Sequence, residues 1–331
     1  MKRFLLASIL AAFSFTSCST SDDDLPQEVE IEVPETYSFE RENSSTVDYS
    51  GQTTRLEMAK ELTAAFNDFD NATAESLSNM FANENAPFTS PELNASSKSI
   101  LSKVAASNLY FSTNSVESAA IKADLQSFIT EQMEVVKANR DVLAEPGVAG
   151  QVASGSSVRY VNGKGLELNQ AFAKSLIGAL LLDQILNNYL AEAVLDEGEN
   201  RVNNDNGITE EGKAYTTMEH KWDEAYGYLY GDPSIPAEDP NSVLTSSDDR
   251  LLFNYLGRLE GDEDFAGIAE STFEAFKTGR AAIVAGEYEL RDQQVAVIRE
   301  NLSLIPAVRA VHYLQGGKAA LAEANYAAAF H

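Results

Sequence analysis

The residues best suited to chemistry lie in one short segment near position 220. His220 is followed three and four positions later by Asp223 and Glu224. On a helix, side chains at these spacings lie on one face. An imidazole beside carboxylates suits a divalent or ferric ion, or a histidine that a carboxylate orients for proton transfer. The order differs from His-Glu-x-x-His, because Glu224 stands where that zinc motif needs its second histidine. A buried His–Asp pair joining two helices is the structural alternative.

Ligands from one helix cannot close a metal site, so a second helix must contribute. Asp183 and Asn187 lie one turn apart on an otherwise apolar predicted helix and share a face. We expect these two side chains to complete a polar pocket around His220. Trp222 and Tyr226 are the expected flanking residues of this binding site. The apolar surroundings also predict that the polar groups are partly buried and hydrogen-bonded, because an unpaired buried carboxylate is costly.

The segments that must position these residues are helical. Long intervals without proline leave room for helices, and apolar residues recur within them at helical spacing. The main predicted helices cover residues 166–195, 214–229, 248–259, 265–285 and 287–315, the last bent or divided at Pro306. Residues 144–157 are rich in glycine and break the chain, and residues 160–163 are at most a short hairpin edge. The sequence therefore predicts an all-α fold, as a helical bundle or two stacked bundles.

Charge and cysteine content exclude several classes of protein. With 24 Lys and Arg against 51 Asp and Glu, the formal charge is −27, which repels nucleic-acid phosphates. A single cysteine excludes a disulfide framework and a cysteine zinc cluster. The sequence also lacks the phosphate-binding loop, the dinucleotide fingerprint and the Gly-x-Ser-x-Gly motif of serine hydrolases. Nucleic acid is therefore not an expected partner, and nucleotide binding has no support.

The N-terminus resembles a bacterial lipoprotein signal. Two basic residues precede an apolar stretch over 4–15, and Cys18, the single cysteine, follows small residues. This stretch is too short to span a bilayer. We expect residues 1–17 to be a signal peptide and Cys18 to be lipidated, so that the membrane is a partner through the lipid anchor.

A tether and one large domain follow the lipidation site. Residues 18–36 are polar and acidic, as in a flexible tether. The acidic run at 22–24 resembles the signal that sends some lipoproteins to the cell surface, so we expect an outer-membrane lipoprotein that faces outward. Residues 37–331 form the predicted helical domain. Its Ala-rich end at His331 stops in mid-pattern, which predicts a truncated chain or a fraying terminus.

Three blocks of the sequence resemble a known family. They are Tyr-Ser-Phe-Glu-Arg at 37–41 with the following segment 45–56, Lys-Ser-Leu-Ile-Gly-Ala at 174–179, and Met-Glu-His-Lys-Trp-Asp-Glu-Ala-Tyr-Gly-Tyr at 218–228. These blocks resemble an uncharacterised family of bacterial lipoproteins with an imelysin-like domain. The resemblance implies a helical bundle over residues 37–331, connected with iron uptake and sometimes labelled a metallopeptidase. The Gly-x-His-x-x-Glu mark of the imelysin group is matched at His220, whereas Met218 replaces its glycine and Asp223 its glutamate.

These observations lead to one expected function and two alternatives. We expect a non-enzymatic binding lipoprotein of the cell envelope whose cargo is iron, another divalent metal ion or an iron-containing ligand, held at His220, Asp223 and Glu224. A metallopeptidase-like hydrolase is the first alternative, although the sequence offers no second ligand cluster for its metal. A structural or protein-binding surface module is the second.

Overall fold

Helices make up most of the protein, which confirms the all-α prediction. The computed structural model describes residues 31–330, and from Glu32 onward these residues form one compact unit. The predicted signal peptide over 1–17, the lipidation site Cys18 and the tether as far as residue 30 lie outside the described residues, as does His331. Within residues 31–330, no helix is both long enough and apolar enough to cross a bilayer.

The helices follow one another through the whole unit. In chain order they are α1 (Ser50–Ala65), α2 (Ala74–Ala82), α3 (Pro91–Ala95), α4 (Ser115–Glu131), α5 (Leu168–Leu176), α6 (Glu192–Leu195), α7 (Asn200–Asp205), α8 (Thr217–Tyr230), α9 (Leu252–Glu260), α10 (Ile268–Ala285), α11 (Tyr288–Ala322) and α12 (Tyr326–Phe330). Short 3-10 turns lie at Lys137–Asn139, Pro240–Val243 and Glu263–Phe265.

Two small antiparallel hairpins interrupt the helices. Strand β1 (Glu40–Arg41) pairs with β2 (Ser44–Ser45), and β3 (Gly150–Ser154) pairs with β4 (Ser157–Val161). The second hairpin turns at Gly155, whose φ of +57° is a left-handed conformation that glycine adopts without strain. The glycine-rich segment 144–157, which the sequence marks as a break, thus contains strand β3 and the turn into β4.

The apolar helix predicted over 166–195 is not one regular α-helix. α5 continues into two π-helical segments, Ile177–Leu182 and Ile185–Tyr189, and the chain then turns before α6. α4 continues in the same way into the π-helical segment Gln132–Val136. π-Helical turns inside α-helices are rare and are frequently found at functional sites. The surface where α4 and the α5 extension meet is therefore a candidate functional site.

α8, which carries the predicted metal ligands, is the most deeply buried helix of the candidate region. Thr216 caps its N-terminus, because the Thr216 side chain accepts from the amide of Glu219 while the Glu219 carboxylate accepts from the amide of Thr216. α8 packs against α1, α10 and the π-helical segment Ile185–Tyr189. Ten of its fourteen residues are buried, so its polar side chains must find partners inside the protein.

α10 and α11 form the largest helix pair. α10 ends at Gly286, whose φ of +75° provides the left-handed turn into α11. α11 runs unbroken through Pro306, so the sequence-based alternative of two divided helices is wrong. The polar segment before α8 contains the short helix α7, whose residues are almost all polar.

Candidate functional site

Asp223 lies at the centre of a buried ion-pair network. Its carboxylate accepts from the Tyr37 hydroxyl at 2.7 Å, from Arg280 Nε at 3.0 Å and from the Asp48 amide at 3.2 Å. Burial raises the pKa of Asp223 to about 6, although Arg280 and the hydrogen bond from Tyr37 act in the opposite direction. Asp223 is therefore buried and bonded, as the sequence predicts.

Glu219 is the second acidic member of this network, and the sequence analysis does not identify it. Its two carboxylate oxygens accept from Arg41 at 2.9 Å each, and Arg280 Nη1 donates to the same carboxylate at 3.1 Å. Burial alone would raise the pKa of Glu219, but Arg280, Arg41 and the amide of Thr216 together lower it below its ordinary value. Glu219 is the third residue of α8, where a capping-box glutamate is expected, and this position is the sequence signal that could have identified it.

His220 and Glu224 bond to partners other than Asp223. The half-buried ring of His220 donates from Nδ1 to the carbonyl oxygen of Asp48 at 3.0 Å and stacks on Tyr215, with the ring centres 4.4 Å apart. Glu224 accepts from the Gln52 amide on α1 at 2.9 Å. Among the residues that the structure describes, no group of three or more His, Cys, Asp and Glu side chains is arranged to hold a metal ion. The three predicted ligands lie on one helix, but their side chains bond to different protein groups.

Trp222 and Tyr226, the expected flanking residues of that site, are packing residues in the structure. Trp222 is fully buried, and its indole nitrogen donates to the carbonyl oxygen of Phe276 at 3.0 Å. The ring of Tyr226 stacks on Tyr37 with the ring centres 3.6 Å apart. Both side chains fasten α8 to neighbouring segments, and both are at most 2% exposed, which leaves little surface for a ligand.

Asp183 and Asn187 form their hydrogen bonds with groups outside α8. Asp183 accepts from the amides of Ala106 and Ser107 at 3.1 and 3.0 Å, and from the Asn187 side chain at 3.3 Å. Within residues 31–330, no hydrogen bond joins either residue to His220 or its neighbours on α8. Asp183 and Asn187 bind the segment before α4, and their hydrogen bonds do not extend to His220 as the sequence leads us to expect.

Asp183 and Asn187 line an open groove between α4 and the π-helical extension of α5. The groove has a volume of about 490 Å³, which is within the range of small-molecule sites. Its wall on the side of α4 and the preceding loop is formed by Tyr110, Phe111, Ile121, Asp124, Leu125 and Phe128. The opposite wall is formed by Ser175, Gly178, Ala179, Leu182, Asp183, Leu186 and Asn187. The lining is thus mainly aliphatic and aromatic, with a few polar groups.

Gly178 keeps the middle of this groove open. It is exposed, and a Cβ atom placed on it would meet no other atom within 4 Å. It lies in the first π-helical segment of the α5 extension.

No solved structure and no curated protein matches this chain. The fold and the groove define a mostly α-helical protein with a candidate small-molecule site. The sequence matches the family described as "Domain of unknown function (DUF4856)" over residues 34–331. The chain belongs to this uncharacterised family.

Proposed function

We propose that this protein is a lipid-anchored binding protein of the cell envelope whose ligand occupies the groove between α4 and α5. The observation that carries the proposal is the open groove of about 490 Å³, lined mainly by apolar side chains. Small-molecule sites in proteins usually have a volume in this range and a mainly apolar lining. The two π-helical segments that line it add support, because such segments are frequent at functional sites.

A binding role agrees better with the groove than a hydrolytic one. The polar side chains of its lining are Ser175, Asp124, Asp183, Asn187 and Tyr110, whose hydroxyl donates to Glu117 at 2.8 Å. An activated nucleophile needs an adjacent base within hydrogen-bond reach. Among the described residues, no hydrogen bond joins Ser175 to a carboxylate, and Asp183 is already bound to two backbone amides. We therefore propose binding without catalysis.

The proposed ligand is an organic molecule in the groove instead of a metal ion on α8. The expectation of iron rests on His220, Asp223 and Glu224, and each of these side chains already bonds to a protein group. A metal on Asp223 would have to displace the guanidinium of Arg280, which is itself fully buried. Losing the partner of a buried charge is strongly unfavourable.

Anchoring through Cys18 on the outer membrane remains part of the proposal and rests on the sequence alone. Incorporation of labelled palmitate into the wild type, and release of a soluble form by Cys18→Ser, are the expected results. Absence of the label from the wild type would contradict the anchor without bearing on the groove.

A substitution that fills the groove with a side chain tests whether a ligand binds there. Gly178→Leu adds a side chain to the groove lining at a position where a Cβ atom meets nothing within 4 Å. Gly316→Leu is the matched control, since Gly316 is also a helical glycine with open space around it, and it does not line the groove. With N-phenyl-1-naphthylamine as a fluorescent apolar probe, we expect Gly178→Leu to weaken binding at least tenfold and Gly316→Leu to leave it unchanged. Equal binding by both variants, or no binding by the wild type, would refute the proposal.

A further inference from the structure

We infer that the ligand of the groove is a small organic cation with an apolar body, an inference that rests on the proposed function of the groove. The inference rests on the charges of the residues that line the groove. The lining residues include two carboxylates, Asp124 and Asp183, and none of them is Lys, Arg or His. A site whose walls carry one sign of charge favours ligands of the opposite sign.

Of the two carboxylates, Asp183 supports the inference more strongly. Its residue is only 4% exposed, yet all four donors to its carboxylate are neutral: the amides of Ala106 and Ser107 and the side chains of Gln184 and Asn187. Within residues 31–330, Asp183 takes part in no ion pair. Buried carboxylates are usually paired with a cation. A cation in the groove would supply the missing partner.

The network on α8 shows how the same protein treats other buried carboxylates. Glu219 is paired with Arg41 and Arg280, and Asp223 is paired with Arg280. Asp183 is buried to a similar degree and lines an open groove instead of meeting an arginine. Asp183 thus lacks the arginine partner that Glu219 and Asp223 have, and its position in the groove lining distinguishes it from them.

The opposite wall supplies a second carboxylate and aromatic rings. Asp124 projects from α4, is exposed, and forms no ion pair with another described residue. Tyr110, Phe111 and Phe128 line the same wall. Aromatic faces attract organic cations and also pack against an apolar body. The lining therefore fits an amine or quaternary ammonium on an aromatic or aliphatic skeleton.

The charge of the ligand is tested with three naphthalene probes of similar shape. They are 1-naphthylmethylammonium as the cation, 1-naphthalenemethanol as the neutral probe and 1-naphthoate as the anion, each measured by fluorescence anisotropy at pH 7 in about 150 mM salt to screen the acidic surface. We expect the cation to bind at least tenfold more tightly than the alcohol, a difference of about 1.4 kcal/mol. The anion should bind most weakly.

A pair of matched variants separates the groove from the overall charge of the protein. Asp183→Asn should bring the affinity for the cation down to that for the alcohol and leave the alcohol within about twofold of its wild-type affinity. Asp232→Asn is the control, because Asp232 is also buried and lies outside the groove, and within residues 31–330 its carboxylate accepts only from the neutral residue Ser234. If Asp183→Asn does not fold, the exposed residue Asp124 provides the substitution instead, and Asp124→Asn should reduce the preference for the cation.

The outcomes distinguish this inference from the proposed function. Equal binding of the cation and the alcohol by the wild type would overturn the inference and leave the groove as a binding site. The same loss in Asp232→Asn as in Asp183→Asn would also overturn it, because the preference would then come from the net charge. Failure of all three probes to bind would count against the proposed function itself.

Discussion

Replacing Arg280 by methionine tests whether the network on α8 is a structural clamp. The fully buried guanidinium donates to Asp223 at 3.0 Å, to Glu219 at 3.1 Å and to the Thr46 hydroxyl at 2.9 Å. It also lies over the ring of Phe39, with the guanidinium carbon 4.9 Å from the ring centre. Methionine fills much of the same volume without a charge, so the substitution removes the ion pairs with little change in packing.

The expected loss of stability depends on the hydrogen bonds that each carboxylate retains in the variant. Glu219 retains its two hydrogen bonds from Arg41, whereas Asp223 retains only the Tyr37 hydroxyl and the Asp48 amide. Removing one partner of a buried ion pair costs about 3–5 kcal/mol, because the other charge stays buried without compensation. We therefore expect Arg280→Met to lower the free energy of unfolding by about 4 kcal/mol. Adding Asp223→Asn removes the uncompensated charge and should restore about 2 kcal/mol of this loss.

Urea unfolding followed by circular dichroism measures these differences. Arg140→Met is the control, because it removes a pair with Asp70 whose side chains are 42% and 81% exposed, and its unfolding midpoint should not change. The reasoning would be refuted if Arg280→Met cost less than about 1 kcal/mol, or if the double variant were no more stable than the single one.

Two further predictions concern α8. Gly279→Ala places a Cβ atom against the ring of the fully buried Trp222, so we expect overpacking to cost about 1–3 kcal/mol in thermal or urea unfolding, whereas Gly316→Ala, in open space, should cost nothing. An equal effect of the two glycine substitutions would contradict the packing. His220→Ala removes the hydrogen bond to Asp48 and should cost about 1 kcal/mol of stability. Calorimetric titration with iron and other divalent ions should give the same result for the wild type and His220→Ala, and a loss of binding in the variant would restore the metal site.

Local patterns predict the helices well because helix formation depends on near neighbours. The spacing of apolar residues identifies the region of α8 to within a few residues of Thr217–Tyr230, and it places Asp223 on a buried face. The π-helical segments of the α5 extension are not visible in this spacing. Two rare helical geometries in succession depend on how the helix meets its neighbours, and a pattern of period 3.6 cannot express that.

The candidate groove illustrates the same limit. The sequence singles out Asp183 and Asn187 as polar interruptions of an apolar helix, and both line the groove. It assigns them to His220, because a one-dimensional pattern does not contain the direction in which each helix faces. Gly178 lies in the block 174–179 that resembles the family, but nothing in that block indicates that it lines a groove.

The sequence by itself determined the all-α class, the helical position of the polar residues on α8 and the acidic character of the protein, since all three depend on composition or on residues a few positions apart. Only the tertiary structure decided the partners of those residues. Arg280 is 57 positions from Asp223, and Tyr37 is 186 positions from it. Such pairs form when separate helices pack together and each buried charge must find a partner among the groups that happen to face it. Arg41 and Arg280 therefore bind Glu219 and Asp223, while Asp183 lines the groove.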